Sequence, residues 1–125
     1  MTGPRILVIE EHPALRNSYE QALRSEGYEV LSAATPHGLV ELARQACPDC
    51  VVLDPDSEGG DGMRAALHLL DEGLLTSLVF NTSRPYSMES DFTTWVADAY
   101  AVRAKGVEGL LRAVQQALPK AVATS

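Results

Sequence analysis

The chain has 125 residues, of which 46% are hydrophobic, and its formal net charge is −7. This length and composition suit one globular domain, which we expect to have its core at about residues 5–118 and a tail at 119–125. The acidic balance argues against binding to nucleic acid, because such binding depends on Lys and Arg side chains that neutralise phosphates. No segment reaches the roughly 20 apolar residues that span a bilayer, and the N-terminus lacks an apolar signal stretch, so we expect a cytoplasmic protein without membrane contact.

Runs of consecutive apolar residues predict the central strands of a sheet. The three clearest runs are Ile6–Ile9, Val51–Leu53 and Leu78–Phe80. Runs without polar alternation are typical of parallel strands that are covered on both faces. Residues 28–33 and 99–103 predict two further strands.

Helical periodicity between these runs predicts five helices, of which the first begins at Pro13, the second at Thr35-Pro36 and the fourth, a shorter one, at Ser87. Their predicted apolar faces are Leu15, Tyr19, Ala22 and Leu23, then Leu39, Leu42, Ala43 and Ala46, then Met63, Ala66, Leu67 and Leu70, then Phe92 and Val96, and finally Val107, Leu110, Leu111, Val114 and Leu118. The alternation of strands and helices predicts an α/β fold, because right-handed crossovers place the helices on both sides of a parallel sheet.

Polar residues follow each of the three central strands. Glu10-Glu11 follow the first, Asp54 follows the second, and Asn81-Thr82 end the third. Parallel strands direct their C-terminal ends toward one crevice, so these side chains are expected to converge. Unpaired carboxylates repel one another, so we expect a divalent cation, a basic side chain or both among them.

The order of these residues resembles the receiver domain of response regulators, from Arg5 to about Leu118. The run ILVIEEHPALR resembles the first strand, acidic pair and first helix of that family. The run PDCVVLDPDSEGGDG places Asp54 at the phospho-accepting position, with Asp61-Gly62 at the usual distance beyond it. The resemblance implies a flavodoxin-like, doubly wound five-stranded parallel sheet in the order 2-1-3-4-5, with five helices.

The resemblance also assigns roles to residues farther along the chain. Thr82 falls on the hydroxyl position of the fourth strand, Tyr100 on the aromatic switch position of the fifth, and Arg103 where the family carries a lysine. Thr82 would donate its hydroxyl to a phosphoryl oxygen, Arg103 would pair with another such oxygen, and Thr82 and Tyr100 would move together as the switch. We expect no enzymatic activity beyond self-phosphorylation from a phosphodonor and self-dephosphorylation.

A magnesium ion is the cofactor that the resemblance implies. It would be held by Glu11, Asp54 and the backbone carbonyl of Asp56, with Glu10 acting largely through water. The family usually has aspartates at the acidic pair, and Glu10-Glu11 add one methylene at each position. Because octahedral Mg²⁺ tolerates little error in ligand distance, we expect its affinity to be weak.

Other departures from the family pattern affect access to Asp54. Arg103 carries a planar guanidinium where a lysine would carry a compact ammonium. This group could clamp a phosphoryl group, or it could block the site by pairing with Asp54. Gly59-Gly60 stand in the loop after Asp54, which we expect to be flexible. Asp56 and Arg84 are candidates for a pair that shields the site.

Two functions therefore stay open. The first is a stand-alone receiver that takes a phosphoryl group on Asp54 from a histidine kinase or phosphotransferase and signals by protein contact. The second is a pseudo-receiver that binds its partner constitutively, without phosphorylation. In either case we expect the contact face to be the fourth helix, fifth strand and fifth helix, with Trp95 as a candidate anchor; homodimerisation stays open.

Cys47 and Cys50 have the spacing of a redox or metal pair, but two cysteines are only half the ligands of a closed zinc site, and the histidines have no ligand spacing. Cys47 and Cys50 lie between a helix end and a strand start, and we expect Cys50 to act as a small hydrophobic residue of the sheet. His12, His37 and His68 are scattered over a loop and helices. We therefore predict no role for them as ligands.

Overall fold

The computed structural model describes residues 3–74, 77–82, 99–102 and 106–118, and for Glu58 and residues 99–102 it describes the backbone alone. The elements within these ranges are β1 (Arg5–Ile9), α1 (Pro13–Ser25), β2 (Glu29–Ala33), α2 (Leu39–Ala46), β3 (Cys50–Leu53), α3 (Ser57–Asp71), β4 (Leu78–Thr82), β5 (Ala99–Val102) and α4 (Gly106–Ala117). The predicted helix at 87–96, the tail at 119–125, Arg84, Trp95 and Arg103 lie outside the described residues.

The strands form one parallel sheet in the order β2-β1-β3-β4-β5, which confirms the predicted fold class and strand order. The register of the three central strands aligns Val8 with Val52, and Leu53 with Phe80. One residue beyond the row that contains Leu53 and Phe80, the same register places Glu10, Asp54 and Asn81 side by side. The crossover between β1 and β3, which are neighbours in space but not in sequence, makes their ends the topological switch point.

Helices cover both faces of this sheet and create two cores. On one face, α1 and α4 pack on alternate residues of the strands, including Ile6, Val8 and Val52. On the other face, α2 and α3 pack on the residues between them, including Leu7, Val51 and Phe80. The residues of the three predicted apolar runs are at most 4% exposed, as expected for strands that are buried on both faces.

Two helices follow their predicted patterns closely. Helix α1 has Pro13 in its first turn and buries Tyr19 and Leu23. Helix α4 buries Leu110 and Val114 from the predicted face. It also buries Ala113 and Ala117, because small side chains allow the helix to approach the sheet closely.

The predicted start of the second helix is wrong. Helix α2 begins at Leu39 instead of Thr35-Pro36. Gly38 precedes it with a left-handed φ of 77°. The Leu39 amide donates a hydrogen bond of 3.1 Å to the Pro36 carbonyl, which closes a turn before the helix. This backbone conformation interrupts any helix that starts earlier, and only glycine adopts it without strain.

The third helix also differs from its prediction. Its buried residues include Ala66 and Leu69, both fully buried, whereas Leu70 is 53% exposed. Leu69 is three residues after Ala66 and therefore lies on the same apolar face of the helix. The sequence pattern alone does not show which of the two adjacent leucines faces the core. The helix also begins at Ser57, so Gly59 and Gly60 lie in its first turns with φ of 66° and 101° and not in a loop.

Cys50 is fully buried in β3, which confirms its predicted role as a small hydrophobic residue. Cys47 is exposed, and both cysteines are free thiols. None of the described helices is long and apolar enough to cross a membrane.

The backbone at Cys47 generates a stability prediction. Cys47 ends α2 with φ 49° and ψ 57°, a left-handed conformation that costs a residue with a Cβ about 1–2 kcal/mol. We expect Cys47→Gly to raise the free energy of unfolding by about 1 kcal/mol, measured by urea denaturation. Cys47→Ala keeps the Cβ and removes the thiol, so it should give no gain. Equal stability of all three proteins would contradict the strain argument.

Candidate functional site

The candidate site lies where β1, β3 and β4 end, side by side at one edge of the sheet. Glu10 follows β1, Asp54 follows β3, and Thr82 is the last residue of β4. Glu10 and Thr82 are 3% and 1% exposed, and Asp54 is half-buried. The topology therefore brings a buried carboxylate, a partly accessible carboxylate and a buried hydroxyl residue to the same edge.

Glu10 is held in place by the start of α1 and by β2. Its amide donates to the Ala33 carbonyl at 3.0 Å, which extends the pairing of β1 with β2. Its Oε2 accepts a hydrogen bond of 3.1 Å from the His12 amide, and its carbonyl accepts one of 2.9 Å from the Arg16 guanidinium. The carboxylate is therefore turned back toward its own loop, where a backbone donor compensates part of the cost of burial.

Glu11 differs from Glu10 because it is exposed. Among the residues that the structure describes, no three His, Cys, Asp or Glu side chains form a group that could hold a metal ion. The structure therefore does not bring the carboxylates of Glu10, Glu11 and Asp54 together as one cluster. Glu11 lies beyond β1, in the bend that leads to α1, whereas the Glu10 amide still pairs with β2.

Asp54 is restrained by the segment that follows it. Its Oδ1 accepts a hydrogen bond of 2.9 Å from the Asp56 amide, and its carbonyl accepts one of 3.1 Å from the Ser57 amide. The carboxylate thus has a defined orientation at the end of β3. Asp56, whose side chain is exposed, contributes its backbone to this turn.

Gly62 packs directly against the backbone of Asp54. A Cβ at this position would lie 2.0 Å from the Asp54 carbonyl oxygen and 3.0 Å from the Ser57 Oγ. Such a distance is impossible, so only glycine allows α3 to approach the end of β3 this closely. Next to it, the Met63 amide donates to the Pro55 carbonyl at 3.0 Å.

The predicted switch residues are only partly described. Thr82 pairs with Val102 and Phe80 pairs with Tyr100 in the register of β4 and β5. Thr82 is buried at the end of its strand. The side chain of Tyr100 and all of Arg103 lie beyond what the structure describes. Their predicted roles, and the predicted pairing of Arg103 with Asp54, therefore stay predictions.

A cleft of about 460 Å³ lies between the start of α2 and α3. In it the Asp61 carboxylate contacts the His37 imidazole at 3.1 Å and the Arg64 guanidinium. The hydrogen bond from His37, assisted by Arg64 and opposed by desolvation, holds the pKa of Asp61 below its usual range. His37 and Asp61 are not among the predicted site residues, because 24 positions separate them in the chain.

The contact between Gly62 and Asp54 predicts that one added methyl group at position 62 strongly lowers the stability of the fold. Gly62→Ala should lower the free energy of unfolding by about 3 kcal/mol, because the Cβ would meet backbone atoms that cannot rotate away. Urea denaturation monitored by circular dichroism measures this change. Gly59→Ala is the control, since its Cβ would meet open space and only the left-handed φ of 66° would cost about 1 kcal/mol. Equal losses in the two variants would refute the close packing at Gly62.

The pKa of Asp61 predicts how stability depends on pH. Because this pKa is lowered in the folded protein, ionised Asp61 stabilises the fold above its unfolded pKa of about 3.9. That contribution is lost as the pH falls through the lowered folded pKa. Asp61→Asn should therefore lose less stability than the wild type between pH 6 and about pH 3, measured by urea denaturation. Parallel curves for the two proteins would show that Asp61 has no such linkage.

Comparison with known proteins identifies the family. The model of the response regulator receiver domain matches residues 6–108. The transcriptional regulatory protein PdtaR of Mycobacterium tuberculosis is 27% identical in an alignment of 131 positions, which covers 96% of this chain and 64% of PdtaR. BvgA of Bordetella pertussis, a transcription regulator of virulence factors, is 31% identical over 86 residues, which cover 67% of this chain and 41% of BvgA. The chain thus spans less than two thirds of the length of these relatives.

Solved structures agree with this family. The response regulator TrrA of Thermotoga maritima, in complex with Mg²⁺-BeF, has a TM-score of 0.77 and 27% identity, covering 93% of this chain and 98% of TrrA. TrrA in complex with the histidine kinase ThkA gives 26% identity and the same TM-score, with 93% and 97% covered. CheY4 of Vibrio cholerae has the same fold, with a TM-score of 0.83, 20% identity and coverage of 94% and 100%. The chain therefore belongs to the response regulator receiver domain family of two-component signalling.

Proposed function

We propose that this receiver accepts a phosphoryl group on Asp54 from a histidine kinase or phosphotransferase and signals through protein contact. The observation that carries the proposal is the restrained, half-buried carboxylate of Asp54 at the topological switch point, with its Oδ1 held by the Asp56 amide. A carboxylate in this setting is accessible to a donor and already oriented. Orientation of the reacting group is a major part of catalysis in phosphoryl transfer.

In the proposed reaction a carboxylate oxygen of Asp54 attacks the phosphorus of a phosphohistidine. A bond forms between that oxygen and phosphorus, while the bond from phosphorus to the imidazole nitrogen breaks and leaves its electron pair on the nitrogen. The hydroxyl of Thr82 and the guanidinium of Arg103 are the proposed donors to the phosphoryl oxygens. Thr82 and Tyr100 are the proposed switch residues.

We propose Mg²⁺ as the cofactor, at Glu10, Glu11, Asp54 and the backbone carbonyl of Asp56. Mg²⁺ commonly uses one or two carboxylates and fills its other positions with water and phosphate oxygens. Bound Mg²⁺ would neutralise negative charge on the transferred group. The Mg²⁺-BeF complex of TrrA supports this choice, and the exposure of Glu11 supports a weak affinity.

The proposed partners are a histidine kinase or phosphotransferase and a downstream protein. The complex of TrrA with the kinase ThkA supports the first. For the second we propose the face formed by the fourth predicted helix, β5 and α4. Nucleic acid is not a proposed partner, because the net charge of −7 opposes contact with phosphates.

A second candidate function is a pseudo-receiver that binds its partner without phosphorylation. Two observations favour it. Glu11 is exposed, and the Oε2 of Glu10 already accepts a hydrogen bond from the His12 amide. Both features reduce the number of carboxylate oxygens directed at a cation beside Asp54.

One experiment separates the two functions. We expect the intact mass of the wild type to increase by one phosphoryl group after incubation with acetyl phosphate and Mg²⁺, because Asp54 is accessible and oriented. Asp54→Asn should show no increase. Asp71→Asn is the matched control, since it removes an exposed carboxylate at the far end of α3, and it should be phosphorylated like the wild type. Chelation of Mg²⁺ should lower the yield.

An unchanged wild-type mass would favour the pseudo-receiver. An equal increase in Asp54→Asn would place the phosphoryl group on another residue and would contradict the assignment of Asp54.

A further inference from the structure

The acceptor carboxylate is positioned by a short segment that joins β3 to α3. Within this segment the Asp56 amide holds the Asp54 carboxylate, the Ser57 amide holds the Asp54 carbonyl, and Gly62 packs on that carbonyl. Any displacement of residues 56–62 therefore moves the acceptor. The placement of Asp54 depends on what holds the first turns of α3 in position.

The segment has little stiffness of its own. Gly59 and Gly60 stand between Ser57 and Gly62, both with left-handed φ, and a Cβ at either position would meet open space. Glycine has the largest backbone freedom of any residue, so a pair of glycines imposes a high entropic cost on one fixed conformation. A contact from outside α3 at this end of the helix would favour that conformation.

Asp61 provides such a contact, one residue before Gly62. Its Oδ2 is 3.1 Å from the Nε2 of His37, which belongs to the turn between β2 and α2. Its Oδ1 contacts Arg64, but Arg64 lies on the same helix and cannot restrain α3 as a whole. The contact with His37 therefore connects the first turns of α3 to another part of the fold.

The His37 side of this contact is also anchored. The turn that carries His37 is closed by the hydrogen bond from the Leu39 amide to the Pro36 carbonyl. Leu39, the first residue of α2, is buried in the core and is 2% exposed. The side chain of Asp61 is 31% exposed and that of His37 is 65% exposed, and the hydrogen bond from His37 is the main cause of the lowered pKa of Asp61. The interaction therefore joins a fixed turn to a carboxylate that stays ionised at neutral pH.

We propose that His37 and Asp61 form a positioning pair, which holds the start of α3 against the end of β3 and thereby orients Asp54 for phosphoryl transfer. This inference rests on the proposed function. Neither residue contacts the reacting atoms in the proposal. Both act through Gly62 and the amides of Asp56 and Ser57.

The test compares two variants that each remove one partner of Asp61. His37→Ala removes the partner outside the helix, and Arg64→Ala removes the partner within it. We expect His37→Ala to lower the maximal rate of phosphorylation by acetyl phosphate about fivefold, the factor that corresponds to one net hydrogen bond. The donor concentration that gives half the maximal rate should not change, because orientation and not donor binding is affected. Arg64→Ala should keep the wild-type rate.

A rescue variant and a second readout separate positioning from general stability. His37→Gln keeps an N–H donor that can reach Asp61, so it should restore most of the rate. Amide hydrogen exchange, measured by NMR, should be faster at Asp56 and Ser57 in His37→Ala than in Arg64→Ala, whereas exchange in β1 and β3 should be equal in the two variants.

The outcomes of this experiment are distinct. If the wild type takes up no phosphoryl group, the proposed function fails, and exchange at Asp56 and Ser57 alone decides whether the pair positions Asp54. Equal exchange at these amides in the two variants would overturn the positioning role. Faster exchange without a slower rate in a phosphorylated wild type would also overturn it, as would a uniform increase in exchange across the sheet.

Discussion

Burial of β1, β3 and β4 on both faces is the constraint on which the site depends. With helices packed on either side, polar side chains that belong to these strands can reach solvent only where the strands end. Parallel pairing then aligns those ends, so Glu10 and Asp54 lie beside each other at the ends of neighbouring strands, at the switch point. The same burial that stabilises the sheet therefore concentrates the polar groups at one edge.

The close approach of α3 turns this edge into an oriented site. Gly62 allows the helix to rest on the Asp54 carbonyl, and the amides of Asp56 and Ser57 then point at Asp54. The two glycines at 59 and 60 adopt positive φ in the first turns of the helix, which glycine allows at the cost of greater backbone freedom. Asp61 compensates for this freedom through its contact with His37. Orientation of Asp54 thus depends on a steric contact at Gly62 and a polar contact at Asp61.

Much of the architecture could be predicted from hydrophobic periodicity. The uninterrupted apolar runs identify the buried strands, and α1 and α4 follow from apolar residues at helical spacing. The errors fall where periodicity is ambiguous. Leu69 and Leu70 are equally apolar, and only packing against the sheet selects Leu69 for the core. The late start of α2 depends on the left-handed conformation of Gly38, which a glycine allows but does not require.

The sequence by itself determined the fold class, the strand order that accompanies the receiver resemblance, and the position of Asp54 at the end of a buried strand. These features depend on local patterns, namely apolar runs, their spacing and the residues that follow them. Only the tertiary structure decided that Glu10 is buried while Glu11 is exposed, that Gly62 rests on Asp54, and that His37 meets Asp61. Such pairings join residues that are distant in the chain or select between adjacent residues of the same type, and they arise from the way in which the elements pack.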